Sequence, residues 1–299
     1  YTTEQSVDDG GAVINTINGS WIAIFDKNIK VSSFGCINSK NQNSNAQFQN
    51  TINYAVLNKK DIDIDIDIYI SETININRVV DGEDSSDYMY ISGGSITVAK
   101  DLELFSSSLT YFPNEPASQL IYFKNINLIG DGSNFFMKGN KLLRIIISGC
   151  SFLKLNFCKT DYYIQSIYFD NCNIRDIKDC FLTATNGSYD LRFTNNLVER
   201  GDNFIDISGG DLHKGQLWVD GNVIEGFSGY AIRYSDMSVM TITNNYFESN
   251  SLGDVVKNSN KTDTMDTLII IENNFMYGTG SDNTGGAGFF HVVLGWVSR

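Results

Sequence analysis

The chain has 299 residues, 42% of them hydrophobic, enough for a full core in one elongated domain. Its 35 acidic and 22 basic side chains give a net charge of −13, which disfavours phosphate backbones and anionic membranes, so neither nucleic acid nor a membrane is expected as a partner. No apolar run reaches the roughly 18 residues of a spanning helix, and two histidines with five cysteines that lack CxxC spacing argue against a zinc site or a histidine-centred catalytic site.

Tyr1 is preceded by neither an initiator Met nor a signal peptide, so a processed end is expected there. Residues 31–35, VSSFG, read as a strand. Ser44 and Gln47 have the spacing of a capping box before Phe48, Ile52, Ala55 and Val56. That pattern predicts a short helix whose apolar face covers the open end of a core. Residues 61–70, DIDIDIDIYI, alternate strictly and predict one strand with Ile inward and Asp outward, a solvated acidic edge rather than a metal site. The chain therefore divides into an N-terminal segment with its capping helix, 1–60, and a repeat region, 61–299.

The repeat is visible when 89–97, 121–129, 145–153, 167–175, 191–199, 217–225, 240–248 and 269–277 are aligned. The first position reads Met89, Ile121, Ile145, Ile167, Leu191, Leu217, Met240, Ile269, and the third and eighth are likewise apolar throughout. The sixth reads Gly94, Ile126, Cys150, Cys172, Asn196, Asn222, Asn245, Asn274, at intervals of 22 to 32 residues. Period-two alternation on both sides of that position gives two strands per coil facing one core. A further strand follows in most coils, with Leu182, Ile205, Ile232 and Val256 inward and Thr183, Asp206, Arg233 and Lys257 outward. The fold expected is all-β: a right-handed parallel β-helix with a short N-terminal capping helix.

Asn side chains stacked at one turn can bond to the coils above and below, with Cys150 and Cys172 in the same ladder. Cys158 and Cys180, 22 residues apart, are expected one coil apart, and the cysteines read as reduced core residues. After a glycine-rich stretch at 278–288, residues 289–299 suggest a last strand-like segment, with oligomer-forming material expected past Arg299.

The N-terminal order (VSSFG, a polar loop, the helix near 47–56 and DIDIDIDIYIS), with the later segments GNVIEG and NNYFESN, resembles phage tailspikes and pectate-lyase-like depolymerases. Those proteins often begin Val-x-x-Phe-Gly-Ala; here Cys36 replaces the Ala, and the Asn-rich CINSKNQNSNAQ replaces the DG-x-x-D segment. The NTD, DD, GHG and RIK elements of polygalacturonases and the WxDH element of pectate lyases are missing. The resemblance implies a homotrimer on a virion tail, acting outside the cell on bacterial capsule, O-antigen or exopolysaccharide.

With the eighth position buried, the ninth points outward and reads Ile129, Leu153, Arg175, Glu199, Glu225, Glu248, Tyr277. Coils about 4.8 Å apart would place adjacent glutamates at roughly 5 Å and alternate ones at roughly 10 Å. Glycoside hydrolysis needs a protonated acid and a second carboxylate at about 5 Å or about 6.5–9.5 Å. Glu199, Glu225 and Glu248, with Asp206, are the candidate catalytic residues of an endo-glycosidase that needs no metal or organic cofactor. Arg200, Arg233 and Lys257 are placed to offset repulsion in the stack. The second position, also outward, reads Tyr122, Ile146, Tyr168, Arg192, Trp218, Thr241, Ile270. Aromatic faces take sugar rings, so Tyr168, Arg192, Trp218, Asp220, Arg233 and Tyr246 are the candidate substrate-binding residues. Two alternatives stand beside this one: a polysaccharide lyase acting on a uronate through Arg233, Tyr234 and Lys257, and a non-catalytic glycan-binding adhesin or fibre segment.

Overall fold

The computed structural model describes residues 11–16, 19–76, 80–81, 88–106, 117–118, 120–137, 143–161, 164–209, 215–248, 256–258, 268–277 and 290–291. The chain winds as a right-handed parallel β-helix built on two long sheets, one of ten strands and one of fifteen. Successive coils pair in parallel, and the register is the one the repeat predicts. Leu191 lies beside Leu217 and Leu217 beside Met240 in the first sheet, while Val198 lies beside Ile224 and Ile224 beside Phe247 in the second. All six side chains are buried. The further strand is equally in register, Leu182 with Ile205, Ile205 with Ile232 and Ile232 with Val256. At the N-terminal end Asn28–Lys30 adds a strand to the first sheet beside Asp61–Asp63.

The chain passes from the first sheet to the second through a turn at the fifth and sixth positions of each repeat. The fifth residue is left-handed in every coil: Gly93, Asn125, Gly149, Asn171, Asn195, Gly221, Asn244 and Asn273 all have φ between 51° and 83°. Only Gly and Asn tolerate that region readily, so the turn dictates both residue types. The sixth residue then forms the amide ladder. The Asn222 side-chain oxygen accepts the Asn196 backbone N–H, and the Asn222 amide nitrogen donates to the Phe193 carbonyl, each at 2.9 Å. Asn245 and Asn274 repeat these bonds one and two coils on. Cys172 joins the ladder by donating its N–H to the Asn196 side chain. Asn196, Asn222 and Asn245 are buried, so these bonds satisfy backbone groups that water cannot reach.

Phenylalanines run along the interior. Phe169 stacks face to face on Phe193 at 4.6 Å, and Phe157, Phe181 and Phe204 form a second file crossed by edge contacts to the first. Burying each ring contributes about 1.5–3 kcal/mol. All five cysteines are free and buried.

The helix (α1, Asn45–Asn58) buries Phe48, Ile52 and Ala55 against the first coil, with Phe48 6.3 Å from Phe105. Its polar side chains finish the second sheet's open edge. Asn45 pairs with Ser71, and Gln49 exchanges two hydrogen bonds with the Asn75 backbone, at 2.8 and 2.9 Å.

Four local expectations are corrected. Residues 31–35 are not a strand: Val31–Phe34 is a 3-10 turn that buries Val31 and Phe34, three apart, and Asp65 takes the Ser32 N–H and hydroxyl. No capping box forms, because the Ser44 hydroxyl instead accepts the Ile37 N–H. The DIDIDIDIYI run is two strands, Asp61–Asp63 in the first sheet and Asp67–Ile70 in the second, with the coil's corner between them. Asp61 is largely covered, accepting the Tyr90 N–H and pairing with the exposed Lys27. Cys158 pairs with Leu182, not Cys180, because the offset between these coils grows from 22 residues at Leu153 and Arg175 to 24 at Cys158 and Leu182, two extra residues in the later coil. The glycine-rich 278–288 lies outside the described residues, while Phe290–His291 pairs with Val256 and Lys257.

Candidate functional site

The outward column of the second sheet is built by Leu197–Ser208, Val223–Phe227 and Tyr246–Glu248, which place Glu199, Glu225 and Glu248 directly side by side. Arg175 precedes them in the same column and Tyr277 follows. The three carboxyls are not equivalent. Arg175 closes an ion pair on Glu199, and the Tyr246 hydroxyl donates to Glu248 at 2.8 Å. Among the described residues, Glu225, between them, forms no ion pair. Partial burial, a hydrogen bond shared with Glu199 and the charges of Glu199 and Glu248 raise its carboxyl above the ordinary glutamate value, against a weaker opposing pull from Arg200. Of the cations expected to offset repulsion here, Arg200 is bound to Asp176 at 2.7 Å, and Arg175 does the neutralising instead.

Tyr168, Arg192, Trp218 and Asp220 lie on the first sheet, across the asparagine turn from the glutamates. Tyr168, Arg192 and Trp218 are consecutive rungs, and the Arg192 guanidinium sits between the rings, 4.9 Å from the Tyr168 centroid and 5.1 Å from that of Trp218. Asp190 fixes the group, accepting from Arg192 Nε at 2.6 Å and from the Tyr168 hydroxyl. The ring faces turned toward each other are therefore filled by Arg192 rather than open to a sugar. Asp220 accepts from Thr243 and Asn244, both at 2.7 Å.

Asp206 and Arg233 lie further along the coil on the third strand and bind each other through two hydrogen bonds, with Arg233 4.6 Å from the Tyr230 ring centroid. Asp206 is thus an ion-pair partner, placed on the third strand beside Arg233 rather than in the glutamate column. Tyr234, the expected lyase base, is fully buried: Arg233 faces out, so the next residue faces the core. The Lys257 side chain lies outside the described residues.

The ten candidates thus form three groups, of which one unites Glu199, Glu225, Glu248 and Tyr246 on a single face. Sequence reasoning missed the roles of Arg175, Asp190 and Tyr230. Arg175 was legible, since it occupies the glutamates' own column; Asp190 and Tyr230 act from irregular parts of the coil that the repeat does not cover.

No protein-family model and no curated protein sequence matches the chain. Solved structures do. The tailspike protein of Acinetobacter baumannii phage AM24 superposes with a TM-score of 0.61 at 16% identity over 94% of this chain and 49% of its own. The tailspike protein of Acinetobacter phage vB_ApiP_P1 does so with a TM-score of 0.58 at 14% identity over 96% of this chain and 64% of its own. The chain thus shares the β-helix fold of phage tailspikes and spans about half to just under two thirds of their length.

Proposed function

We propose that this chain is the β-helical part of a tailspike-like protein that binds a bacterial surface polysaccharide and cleaves it within the chain as a glycoside hydrolase. The observation that carries this reading is the differentiated carboxylate column: Glu199 is ion-paired with Arg175, Glu248 is bonded by Tyr246, and Glu225 between them has its carboxyl raised above the ordinary glutamate value by partial burial and its acidic neighbours. A glycosidase needs that pairing, a carboxylic acid to protonate the leaving oxygen and a carboxylate to attack or to activate water. Glu225 is the acid. Glu248, one coil on and oriented by Tyr246, is the nucleophile or base. Glu199, beside Glu225 and paired with Arg175, contributes to raising the Glu225 carboxyl. Tyr246 also borders the bound sugar, whereas Tyr168, Arg192, Trp218 and Asp220 form a separate outer surface. The reading carries with it a homotrimer on a virion tail, supported by the likeness of fold to two tailspikes.

The test is a panel of purified bacterial polysaccharides assayed for new reducing ends. Glu225→Gln and Glu248→Gln should each lower kcat by a factor on the order of 10²–10⁴ with binding retained. Full activity in both variants would remove the column from the mechanism.

A further inference from the structure

The face that carries the glutamates carries another column two residues earlier, at the seventh position of the repeat: Asn173, Leu197, Val223, Tyr246 and Phe275. The last four make an apolar stripe about 14 Å long at the usual strand spacing, on the outside of the solenoid. Leu197, Val223 and Tyr246 are only partly covered, and Phe275 is 58% exposed. The Tyr246 and Phe275 rings stack at 5.3 Å with 11° between their planes, forming a flat aromatic step. Tyr277, next to Glu248 in the adjoining column, is 61% exposed and widens it. Alternation does not require apolar residues here, since the core takes the eighth position and the seventh faces water.

A sugar ring has a face of C–H bonds and a rim of hydroxyls. The stripe matches the first and the parallel carboxylates match the second. Charge then narrows the choice. The two nearby arginines are already engaged, Arg175 with Glu199 and Arg200 with Asp176, while Glu248 is held by a tyrosine. A uronate laid on the stripe would bring its carboxylate against this column with neither arginine to receive it.

We infer that Leu197, Val223, Tyr246, Phe275 and Tyr277 form the platform on which the polysaccharide lies, and that the neighbouring glutamates make the site selective for uncharged sugars over uronates. This rests on the reading of the same face as the cleavage site and names the class of polymer it takes.

The experiment uses the Glu225→Gln chain, so that binding is read without cleavage. Purified bacterial polysaccharides are titrated in native form and after chemical reduction of their uronic acids to neutral hexoses. Neutral and carboxyl-reduced polymers should bind, with native uronate polymers at least about tenfold weaker. Phe275→Ala and Tyr277→Ala, at exposed positions that leave the core intact, should each weaken binding about tenfold. Equal or tighter binding of the uronate form, unchanged binding in both alanine variants, or no binding to any polymer overturns the inference. Reducing-end assays with the parent chain separate this from the cleavage reading. Phe275-dependent binding without new reducing ends removes cleavage and leaves the platform. Cleavage that survives both alanine substitutions removes the platform and leaves cleavage.

Discussion

Arg175 and Glu199 occupy one outward column, a coil apart, and close an ion pair across the rung between them. Glu225, next in the column, has its carboxyl raised above the ordinary glutamate value by partial burial, a hydrogen bond shared with Glu199 and the charges of Glu199 and Glu248.

Arg175→Gln is expected to shift the alkaline limb of the kcat/KM profile to higher pH. Without the cation the negative charge beside Glu225 is less compensated, so the acid stays protonated further into the alkaline range. A limb that stays in place in Arg175→Gln, with Arg175→Lys as the charge-preserving control, would show that the pair plays no part in setting the proton. Stability follows the same group. Glu225 holds its proton more tightly folded than unfolded, so its contribution is fully present below the ordinary value of 4.5 and is lost as pH rises through the raised value. The melting temperature of Glu225→Gln should therefore gain on that of the parent as pH rises through that window.

Asn222→Ala is expected to destabilise the fold by about 2–4 kcal/mol. It strips the Asn196 N–H and the Phe193 carbonyl of their buried partner, and each orphaned group costs about 1–3 kcal/mol. Urea unfolding checks this, and a loss under about 0.5 kcal/mol would mean the ladder is replaced by other bonds.

Phe193→Ala is expected to cost about 3–5 kcal/mol, because it removes a ring stacked on Phe169 and edged by Phe204 in a closed core. Phe193→Leu should cost visibly less, since much of the volume is kept. Equal losses in the two variants, measured by denaturant midpoint, would point to strain rather than to the cavity.

Arg192→Ala is expected to lower stability by about 1 kcal/mol through the lost ring contacts and the Asp190 pair, and to leave cleavage within about twofold. A loss of cleavage comparable to that of Glu225→Gln would place the Tyr168–Trp218 surface, rather than the glutamate face, in the reaction path.

The coil register was readable in the amino-acid order because one inward column after another must be apolar to fill a tube, and a slip of one residue would turn every Ile and Phe into water. The same constraint placed Glu199, Glu225 and Glu248 in one row before any coordinates, and the turn's left-handed backbone accounts for the Asn and Gly that precede each ladder residue. Other features depended on contacts between coils, which no single-coil pattern encodes. The corner within DIDIDIDIYI, the two-residue slip that sets Cys158 beside Leu182 and the closure of Arg175 on Glu199 are of this kind. Periodicity says which way a side chain points. Which neighbour it meets, and therefore which of three identical carboxyls is raised above its ordinary value, was decided only when the chain was wound and charges distant in sequence were brought onto adjacent rungs.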